Sequence, residues 1–368
     1  MAKYNAAIIG MGFVGKLHYD ALRRLPNVRV RTIVVHKAQD IPLVKEYYDA
    51  DIVTDDWQEA IGDPQIQVIH NCTPNHLHDE INLAAIAAGK HIYAEKPMSL
   101  TTEGAIQVAK AAEAAGIANA INHQYRMNAA VLEMRGRILR GDVGRPLYVS
   151  GCYLQESVAR STDYTRRRIP ETSPARAVLD IGIHWADLAS FVMNCPIQRL
   201  YARMHIHHPV RTDPETGVQI HVKSDDTTSI MVEFADGTPG SALFSKCMLG
   251  HKNDLSLTVS GDRQELKWQQ EQCDRLLIGN RETGNETVYM DRLYSQPDVA
   301  PFIAMPPGHA PGWQDAQKNG MLAFYRSLEG NAYLHGEVPY ATFADGIQGN
   351  RFVDAVLASA REDRWVRL

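Results

Sequence analysis

A glycine-rich motif follows the first apolar run of the chain. Ala6-Ala7-Ile8-Ile9 leads into Gly10-Met11-Gly12-Phe13-Val14-Gly15, where a helical pattern begins. Glycines here let the backbone turn sharply, so that its N–H groups and a helix N-terminus face a pyrophosphate. A glycine turn without a ligand is the alternative, but the preceding strand and the following helix favour a dinucleotide-binding turn. The candidate cofactor-binding residues are Gly10, Gly12, Phe13, Val14 and Gly15.

The end of the second predicted strand bears on which dinucleotide is bound. This strand closes with Val34-Val35-His36-Lys37, and no Asp or Glu follows until Asp40. A carboxylate at this place binds the ribose 2′-hydroxyl of NAD, whereas Lys or Arg accommodates the 2′-phosphate of NADP. His36 and Lys37 are therefore candidate cofactor residues that favour NADP slightly, and an ordinary surface lysine is the alternative.

A lysine lies at the end of another predicted strand, in Ala94-Glu95-Lys96-Pro97. Open α/β sheets bind ligands outside the carboxyl ends of their strands, so we expect Lys96 to project into the cofactor crevice. A lysine there donates to a substrate hydroxyl, and partial desolvation lowers a lysine pKa enough for proton transfer. An exposed loop lysine is the alternative, but Pro97 restricts the backbone and favours a positioned side chain.

A third motif brings a histidine together with two carboxylates. A helix over Asp180-Ile181-Gly182-Ile183-His184-Trp185-Ala186-Asp187 places Asp180, His184 and Asp187 at positions i, i+4 and i+7 of one face. A histidine oriented by a carboxylate has the reach and the near-neutral titration that a general base for a hydroxyl proton requires. A buried structural histidine is the alternative, and two carboxylates in register favour the catalytic interpretation.

These motifs lie in a chain whose pattern changes near residue 125. Up to residue 122, β-branched runs alternate with alanine-rich helical patterns, which is typical of a parallel sheet covered on both faces. From Leu147 to Gln269 consecutive strands prevail, and two helices close the chain. We predict an α/β fold, with an N-terminal Rossmann dinucleotide-binding domain over 1–125. The second domain, over 126–368, is α+β with an open, mostly antiparallel sheet for substrate binding and oligomerisation.

Composition excludes several classes of function. The 368 residues include 38 Lys plus Arg and 43 Asp plus Glu, and the net charge of −5 argues against nucleic acid or an anionic membrane as the main partner. The five cysteines are scattered without a C-x-x-C pair, which indicates a reducing compartment. The chain carries neither a signal peptide nor an apolar run near the ~18 residues of a membrane span, so a soluble cytoplasmic protein is expected.

Three histidines, His205, His207 and His208, resemble a metal-binding set. An H-x-H pattern on a strand, without cysteine or a third clear ligand, more often lies at a sheet edge or an interface. We therefore predict no metal site.

Together these motifs resemble the glucose–fructose oxidoreductase and inositol dehydrogenase family, Gfo/Idh/MocA, over nearly the whole chain. The glycine motif, Glu95-Lys96-Pro97 and the Asp180–His184 motif, in this order, are far more specific together than any one alone. Further matching segments are Thr73-Pro74-Asn75-His76-Leu77-His78, Gly89-Lys90-His91, Tyr125-Arg126, Gly144-Arg145-Pro146, Asp225-Asp226-Thr227, Phe234-Ala235-Asp236-Gly237 and Pro307 to Ala316.

The resemblance implies roles for individual residues. Lys96, Asp180 and His184 match the family's catalytic positions. The implied dinucleotide-lining residues are Gly10, Gly12, Gly15, Thr73, Pro74, Asn75, His78, Glu95, Lys96 and Gln124, and the implied substrate-binding residues are Lys96, Gln124, Arg126, Asp180, His184 and His309. The resemblance also implies a homo-oligomer, a dimer or a tetramer, that assembles through the outer face of the second sheet.

The segment before the predicted catalytic helix departs from the family pattern. It carries three consecutive arginines, Arg166, Arg167 and Arg168, and Ser173-Pro174 stands where related chains often have two glycines. An arginine fork is suited to a carboxylate or to the hydroxyls of a second sugar ring, which makes Arg166 and Arg167 candidate substrate-binding residues. A solvated loop or a subunit contact is an equally weighted alternative.

We predict reversible hydride transfer between a secondary hydroxyl of a sugar, glycoside or cyclic polyol and the nicotinamide of NAD or NADP. His184 accepts the hydroxyl proton, Lys96 bonds the same oxygen and Asp180 orients the substrate or His184, while the choice of base between Lys96 and His184 stays open. In one alternative the same residues oxidise a glycoside transiently at C3, so that its glycosidic bond breaks by elimination without net NAD(P)H formation. The other alternative is a non-enzymatic dinucleotide-sensing regulator, which would not need these three side chains.

Overall fold

The chain forms two compact units in a computed structural model that describes residues 3–163, 175–309, 311–335 and 338–368. The first unit comprises Met1–Met127 and Gly312–Asn350, and the second comprises Asn128–Pro311 and Arg351–Leu368. Residues 312–350, which the sequence pattern places in the second domain, thus group with the first unit. The three arginines Arg166, Arg167 and Arg168 lie outside the described residues.

A parallel sheet forms the centre of the first unit. Its described strands are β1 (Tyr4–Ile9), β2 (Val28–Val34), β3 (Ile52–Thr54), β4 (Val68–Asn71), β5 (His91–Ala94) and β6 (Asn119–Ile121). They lie in the order β3-β2-β1-β4-β5-β6, and all neighbours are parallel. Short β-branched runs suit a sheet that is buried on both faces, and Ile8, Ile33, Ile69 and Ile92 are fully buried. Because the strand order reverses between β1 and β4, ligands are expected at the carboxyl ends of these strands.

Helices cover this sheet. In the first unit they are α1 (Phe13–Arg23), α2 (Ile41–Tyr47), α3 (Trp57–Gly62), α4 (His78–Ala87), α5 (Thr102–Ala115) and, much later in the chain, α8 (Trp313–Ser327). Helix α5 is capped at its start by Thr101, whose hydroxyl accepts the Gly104 N–H, and at its end by Gly116 in the left-handed conformation with φ +62°. Residues of α4 and α5, including Ile81 and Val108, complete the apolar core against the strands.

Aromatic packing explains why α8 belongs to the first unit. Phe324 and Tyr325 are fully buried, and the Phe324 ring meets Tyr93 of β5 edge-on at 5.4 Å between centroids. Gly320 leaves room for the same tyrosine, since a Cβ there would lie 2.8 Å from the Tyr93 hydroxyl. Buried aromatic pairs of this kind contribute through both area and geometry.

The second unit is built on a mostly antiparallel sheet. Its described strands are β7 (Pro146–Leu154), β8 (Ile197–His205), β11 (Thr227–Phe234), β12 (Pro239–Ser245), β13 (Asp254–Gly261), β14 (Gln264–Gln269), β15 (Arg275–Asn280), β16 (Glu286–Tyr289) and β17 (Val366–Arg367), and β9 (Val210–Thr212) with β10 (Gln219–His221) forms a separate hairpin. The order is β16-β15-β14-β13-β7-β12-β11-β8-β17, in which β12 and β7 are parallel and the other neighbours antiparallel.

One face of this second sheet carries the helix that holds the histidine motif. The remaining helices are α6 (Ala129–Leu139), α7 (Ile183–Met193) and α9 (Phe343–Glu362), whose first residues fall in the first unit. Trp185 of α7 is fully buried against β7 and β12, and a Cβ on Gly151 would lie 2.4 Å from its indole nitrogen. Side chains alternate along β7, so Ser150 and Cys152 point to the opposite face.

The predicted fold class is confirmed: a Rossmann-type parallel sheet is followed by an α+β unit with a mostly antiparallel sheet. No helix in the described part of the chain combines the length and the apolar character that crossing a membrane requires.

Candidate active site

The glycine motif forms a tight turn between β1 and α1. Gly10 has φ +95°, and a Cβ there would lie 2.6 Å from the Cys72 carbonyl oxygen; a Cβ on Gly15 would lie 2.0 Å from the Gly10 carbonyl oxygen. Gly12, the N-cap of α1, has open space around it, and the first turn of α1 carries no acidic residue. Exposed N–H groups at a helix N-terminus suit a pyrophosphate, so these residues fit a dinucleotide.

The neighbouring positions of the predicted cofactor set are accessible. Phe13 is exposed and Val14 half-buried beside the turn. His36 and Lys37 are both exposed, directly after β2, the strand that pairs with β1. No carboxylate follows β2 before Asp40, as the sequence indicated.

Hydrogen bonds from buried polar groups stabilise the loop after β4. The Thr73 hydroxyl donates to Asn71 Oδ1 at 2.7 Å, and the Asn71 amide donates to Asn82 Oδ1 at 2.9 Å. His78 is fully buried, and its ring nitrogens lie 2.9 Å from the Thr73 carbonyl oxygen and 2.7 Å from that of Pro97. Its side chain therefore joins the loops after β4 and β5, while Pro74 is exposed and Asn75 half-buried.

Glu95 and Lys96 follow β5 directly. The Glu95 carboxylate is buried, and its Oε1 accepts hydrogen bonds from His18 Nε2 at 3.0 Å and from Asn122 Nδ2 at 2.5 Å. Burial acts to raise the pKa of Glu95, but His18, the bond from Asn122 and the Lys96 charge together hold that pKa below its usual value. Lys96 is half-buried. The structure thus brings the glycine turn, Thr73, Glu95 and Lys96 to the carboxyl ends of β1, β4 and β5.

A short buried turn, Gln124–Met127, follows β6. The Arg126 guanidinium donates to Asp345 Oδ1 at 3.1 Å, and burial, which raises the pKa of Asp345, is outweighed by this charge, which lowers it. The Gln124 amide, oriented to satisfy both of its atoms, donates to the Asn122 carbonyl and accepts from Trp313. Both side chains are therefore engaged within the first unit.

In the second unit, Asp180 lies in a π-helical turn, Val178–Gly182, that runs into α7. A Cβ on Gly182 would lie 2.9 Å from the Phe244 ring, which explains the glycine of this motif. Such turns shift the helix face by part of a turn and occur often at functional sites. His184, in the first turn of α7, is buried with its ring 6.3 Å from that of Tyr153, whereas the Asp180 side chain is about half exposed.

A carboxylate from a different part of the chain holds the start of this helix. Asp225 is fully buried and accepts the backbone N–H groups of Arg176, Ala177 and Val178 at 2.6, 3.2 and 3.1 Å, as well as the Thr228 hydroxyl at 2.7 Å. A carboxylate at a helix N-terminus satisfies the N–H groups that have no partner within the helix and favours the helix dipole.

The next residue, Asp226, is the centre of a buried ion-pair cluster. It pairs with the guanidinium groups of Arg176 and of Arg211, the latter at 2.8 Å. Arg211 also donates to the carbonyls of Val158 and Arg160. Burial, together with the neighbouring Arg211, lowers the pKa of Arg176 to about 10. This cluster joins the residues on either side of the segment 164–174.

Sequence reasoning did not assign roles to three of these side chains. Lys246, at the end of β12, forms an ion pair with Asp180 and is itself buried. Its position directly after a strand was the signal by which Lys246 could have been found, whereas Asp225 and Asp226 entered only as part of the family resemblance.

The predicted substrate-binding residue His309 is exposed in the loop before α8.

Two of the three clustered histidines form hydrogen bonds with neighbouring residues, and the His205 ring stacks on that of His207 at 6.3 Å between centroids. His207 Nε2 lies 3.0 Å from the Thr227 hydroxyl, and His208 Nε2 lies 2.9 Å from the Ala159 carbonyl oxygen. Among the described residues, no group of three or more His, Cys, Asp or Glu side chains is arranged to hold a metal ion.

Comparison with known proteins places the chain in a family. Residues 4–123 match the oxidoreductase family with an NAD-binding Rossmann fold, and residues 131–267 match the Gfo/Idh/MocA C-terminal domain. The chain belongs to the Gfo/Idh/MocA family. Levoglucosan dehydrogenase from Pseudarthrobacter phenanthrenivorans is 25% identical over 100% of this chain and 98% of its own length. Inositol 2-dehydrogenase from Salmonella typhimurium is 24% identical over 70% of this chain and 72% of its own length.

Solved structures agree with this assignment. Levoglucosan dehydrogenase in complex with NADH and levoglucosan superposes with a TM-score of 0.91, at 26% identity, over 99% of both chains. The predictions of a Gfo/Idh/MocA family member and of a nicotinamide-dependent oxidoreductase are confirmed. The roles of individual residues stay predictions.

Replacement of Asp225 by Ala tests whether this carboxylate stabilises the start of the helical segment that carries Asp180 and His184. Three backbone N–H groups and one hydroxyl would lose their buried acceptor, so we expect the free energy of unfolding to fall by about 3 kcal/mol. Asp213 is a matched control, since it accepts the N–H groups of Glu215 and Thr216 at an exposed turn. Asp213→Ala is expected to cost less than about 1 kcal/mol. Chemical denaturation measures both, and equal losses would contradict the assignment.

Proposed function

We propose that this Gfo/Idh/MocA protein catalyses reversible hydride transfer between a secondary hydroxyl of a sugar, glycoside or cyclic polyol and C4 of a nicotinamide. The observation that carries the proposal is that Lys96, Asp180 and His184 each lie next to buried, hydrogen-bonded residues. Lys96 follows the buried, hydrogen-bonded Glu95, and Asp180 and His184 lie at the start of a helix held by Asp225. The relatives named for levoglucosan and for inositol support a polyhydroxylated substrate.

Each side chain has a distinct task in this reaction. His184 accepts the hydroxyl proton, and Lys96 donates to the same oxygen as negative charge develops on it. Asp180, held by the Lys246 ammonium, orients the substrate hydroxyls. Gly10, Gly12 and Gly15 form the backbone turn that binds the pyrophosphate. The bound dinucleotide supplies the hydride acceptor.

An assay of products tests the proposal against its alternatives. The purified protein is incubated with NAD or NADP and a panel of free sugars, anhydrosugars, cyclic polyols and glycosides. Net formation of reduced nicotinamide with a keto product supports the proposal. Cleavage of a glycoside without net reduction favours transient oxidation, and dinucleotide binding without any turnover across the panel favours a sensor.

Alanine variants test the assigned roles. Lys96→Ala and His184→Ala are each expected to lower kcat by roughly 10²-fold or more, since each removes a group that acts on the reacting oxygen. The dinucleotide Kd should change little, because the glycine turn holds the pyrophosphate. Lys110→Ala and His221→Ala, at exposed positions, are the matched controls and should retain the parent kcat. Normal turnover by His184→Ala would contradict its role.

We propose NADP as the preferred dinucleotide, on the exposed Lys37 and the absence of a carboxylate after β2 before Asp40. Levoglucosan dehydrogenase is known in complex with NADH, so the dinucleotide preference of this chain has to be measured. Lys37→Ala is expected to weaken NADP binding about tenfold, since a charge-assisted contact to the 2′-phosphate is lost, and to leave NAD binding unchanged. Lys45→Ala is the exposed control. An unchanged NADP-to-NAD ratio of Kd would show that Lys37 is an ordinary surface residue.

We also propose a homo-oligomer that assembles through the sheet face opposite α7. Side chains alternate along the strands, so Ser150, Cys152, Leu243 and the half-exposed Met231 point to the face away from α7. An apolar face of this kind is suited to a subunit contact. The cytoplasmic location and a substrate contact by Arg166 and Arg167 stay predictions.

A further inference from the structure

Six polar side chains from five places in the chain meet in the interior of the first unit. They are His18 of α1, His70 of β4, Tyr93 at the end of β5, Glu95 after β5, Asn122 after β6 and Tyr325 of α8. All six are buried, and the sequence analysis assigned only Glu95 a role. Buried polar groups need partners, so the order of donors and acceptors among them is constrained.

The first chain of hydrogen bonds starts at Tyr325. Its hydroxyl lies 2.9 Å from His70 Nε2, and among the described residues it has no other hydrogen-bond partner. A buried phenol needs an acceptor for its proton, so the His70 Nε2 accepts and its Nδ1 carries the proton. His70 Nδ1 then donates to His18 Nδ1 at 3.0 Å, which leaves the proton of His18 on Nε2, where it donates to Glu95 Oε1 at 3.0 Å.

The second chain reaches the same carboxylate oxygen. The Tyr93 hydroxyl donates to Asn122 Oδ1 at 3.2 Å, and Asn122 Nδ2 donates to Glu95 Oε1 at 2.5 Å. In both series the hydrogen bonds run towards Glu95, and neutral rings of His18 and His70 are enough to form all of these bonds. Its net charge is therefore the single negative charge of the carboxylate, and hydrogen bonds in series strengthen one another.

Burial keeps Cys72, Tyr93, Tyr325 and His70 uncharged near neutral pH. Burial, and then the Glu95 charge, raise the pKa of the Cys72 thiol and of Tyr93. Burial, and then Tyr93, raise the pKa of Tyr325, whereas burial lowers the pKa of His70 and so favours its neutral ring. The Lys96 charge is one of the influences that lower the pKa of Glu95, and because this attraction is mutual, the Glu95 carboxylate favours the charged form of Lys96.

We propose that His18 and Asn122 are positioning residues of the reaction, which hold the Glu95 carboxylate ionised and in place so that Lys96 stays a cationic donor. This proposal rests on the proposed function for the role of Lys96, but the hydrogen-bond order stands on geometry alone. His18 also lies on α1, the helix that begins at Gly12, so its bond to Glu95 joins the dinucleotide-binding helix to the strand that carries Lys96.

Nitrogen-15 NMR of the histidine-labelled protein tests the hydrogen-bond order without any assay of activity. We expect neutral rings at neutral pH, with the proton of His18 on Nε2 and that of His70 on Nδ1. His18→Gln and His70→Asn provide the assignments. A doubly protonated His18, or protons on the opposite nitrogens, would overturn the proposal even if the protein oxidises sugars.

Three variants separate the effect of the Glu95 charge from that of the hydrogen bonds. Both donors reach the same oxygen, so Glu95→Gln keeps its two partners through the amide oxygen and removes only the charge. Without that charge Lys96 loses its proton more readily, and we expect the alkaline fall of kcat/KM to move about one pH unit lower. His18→Ala is expected to lower kcat about tenfold or more, and His18→Gln, whose amide donates in place of Nε2, to recover most of it.

His91→Gln is the matched control, because His91 is a half-buried histidine at the amino end of the same strand β5. It should leave the pH profile and kcat unchanged. Melting temperatures and the dinucleotide Kd of all variants, the latter from NADH fluorescence, show that each variant is folded. An unmoved pH profile in folded Glu95→Gln, or a His18→Gln variant as slow as His18→Ala, would overturn the proposal. If the parent protein binds dinucleotide with the expected histidine protons but oxidises no substrate, the proposed function fails and the network stands.

Discussion

The hydrogen bond from His18 to Glu95 joins helix α1, which begins after the glycine turn, to the residues that follow β5. A carboxylate in a protein interior persists as an anion only where donors replace its water. Glu95 finds its donors on α1 and after β6, so helix, strand and loop must sit in register for the charge to be tolerated. The glycine turn and Lys96 are then fixed relative to one another, because one begins α1 and the other follows Glu95.

The second unit meets the same constraint with two adjacent carboxylates. Asp225 accepts the first N–H groups of the helical segment that leads to His184, and Asp226 neutralises two buried arginines. Removing one member of such a cluster leaves an uncompensated charge, which costs far more than the pair contributes. The π-helical turn that carries Asp180 lies directly after this anchor.

Position in the fold, more than residue type, therefore distinguishes the proposed catalytic side chains from ordinary ones. Lys96 is one residue from a buried anion, Asp180 is bound to the buried Lys246, and His184 lies in the first turn of a helix whose start is held by Asp225. Rigid supports of this kind keep reacting groups aligned, and alignment is a large part of what an enzyme adds to a cofactor's own chemistry.

Local spacing in the amino-acid sequence was enough to predict the alternating strands and helices, the glycine turn, Lys96 after its strand, and Asp180 with His184 on one helical segment. The partners of those residues became visible in the folded chain. His18 lies 77 positions from Glu95, and His70 lies 255 positions from Tyr325. The tertiary structure likewise decided that α8 packs with the first unit through Phe324 and Tyr93. Periodicity reports which face of an element is buried, but pairing between distant side chains leaves no periodic signal in a single chain.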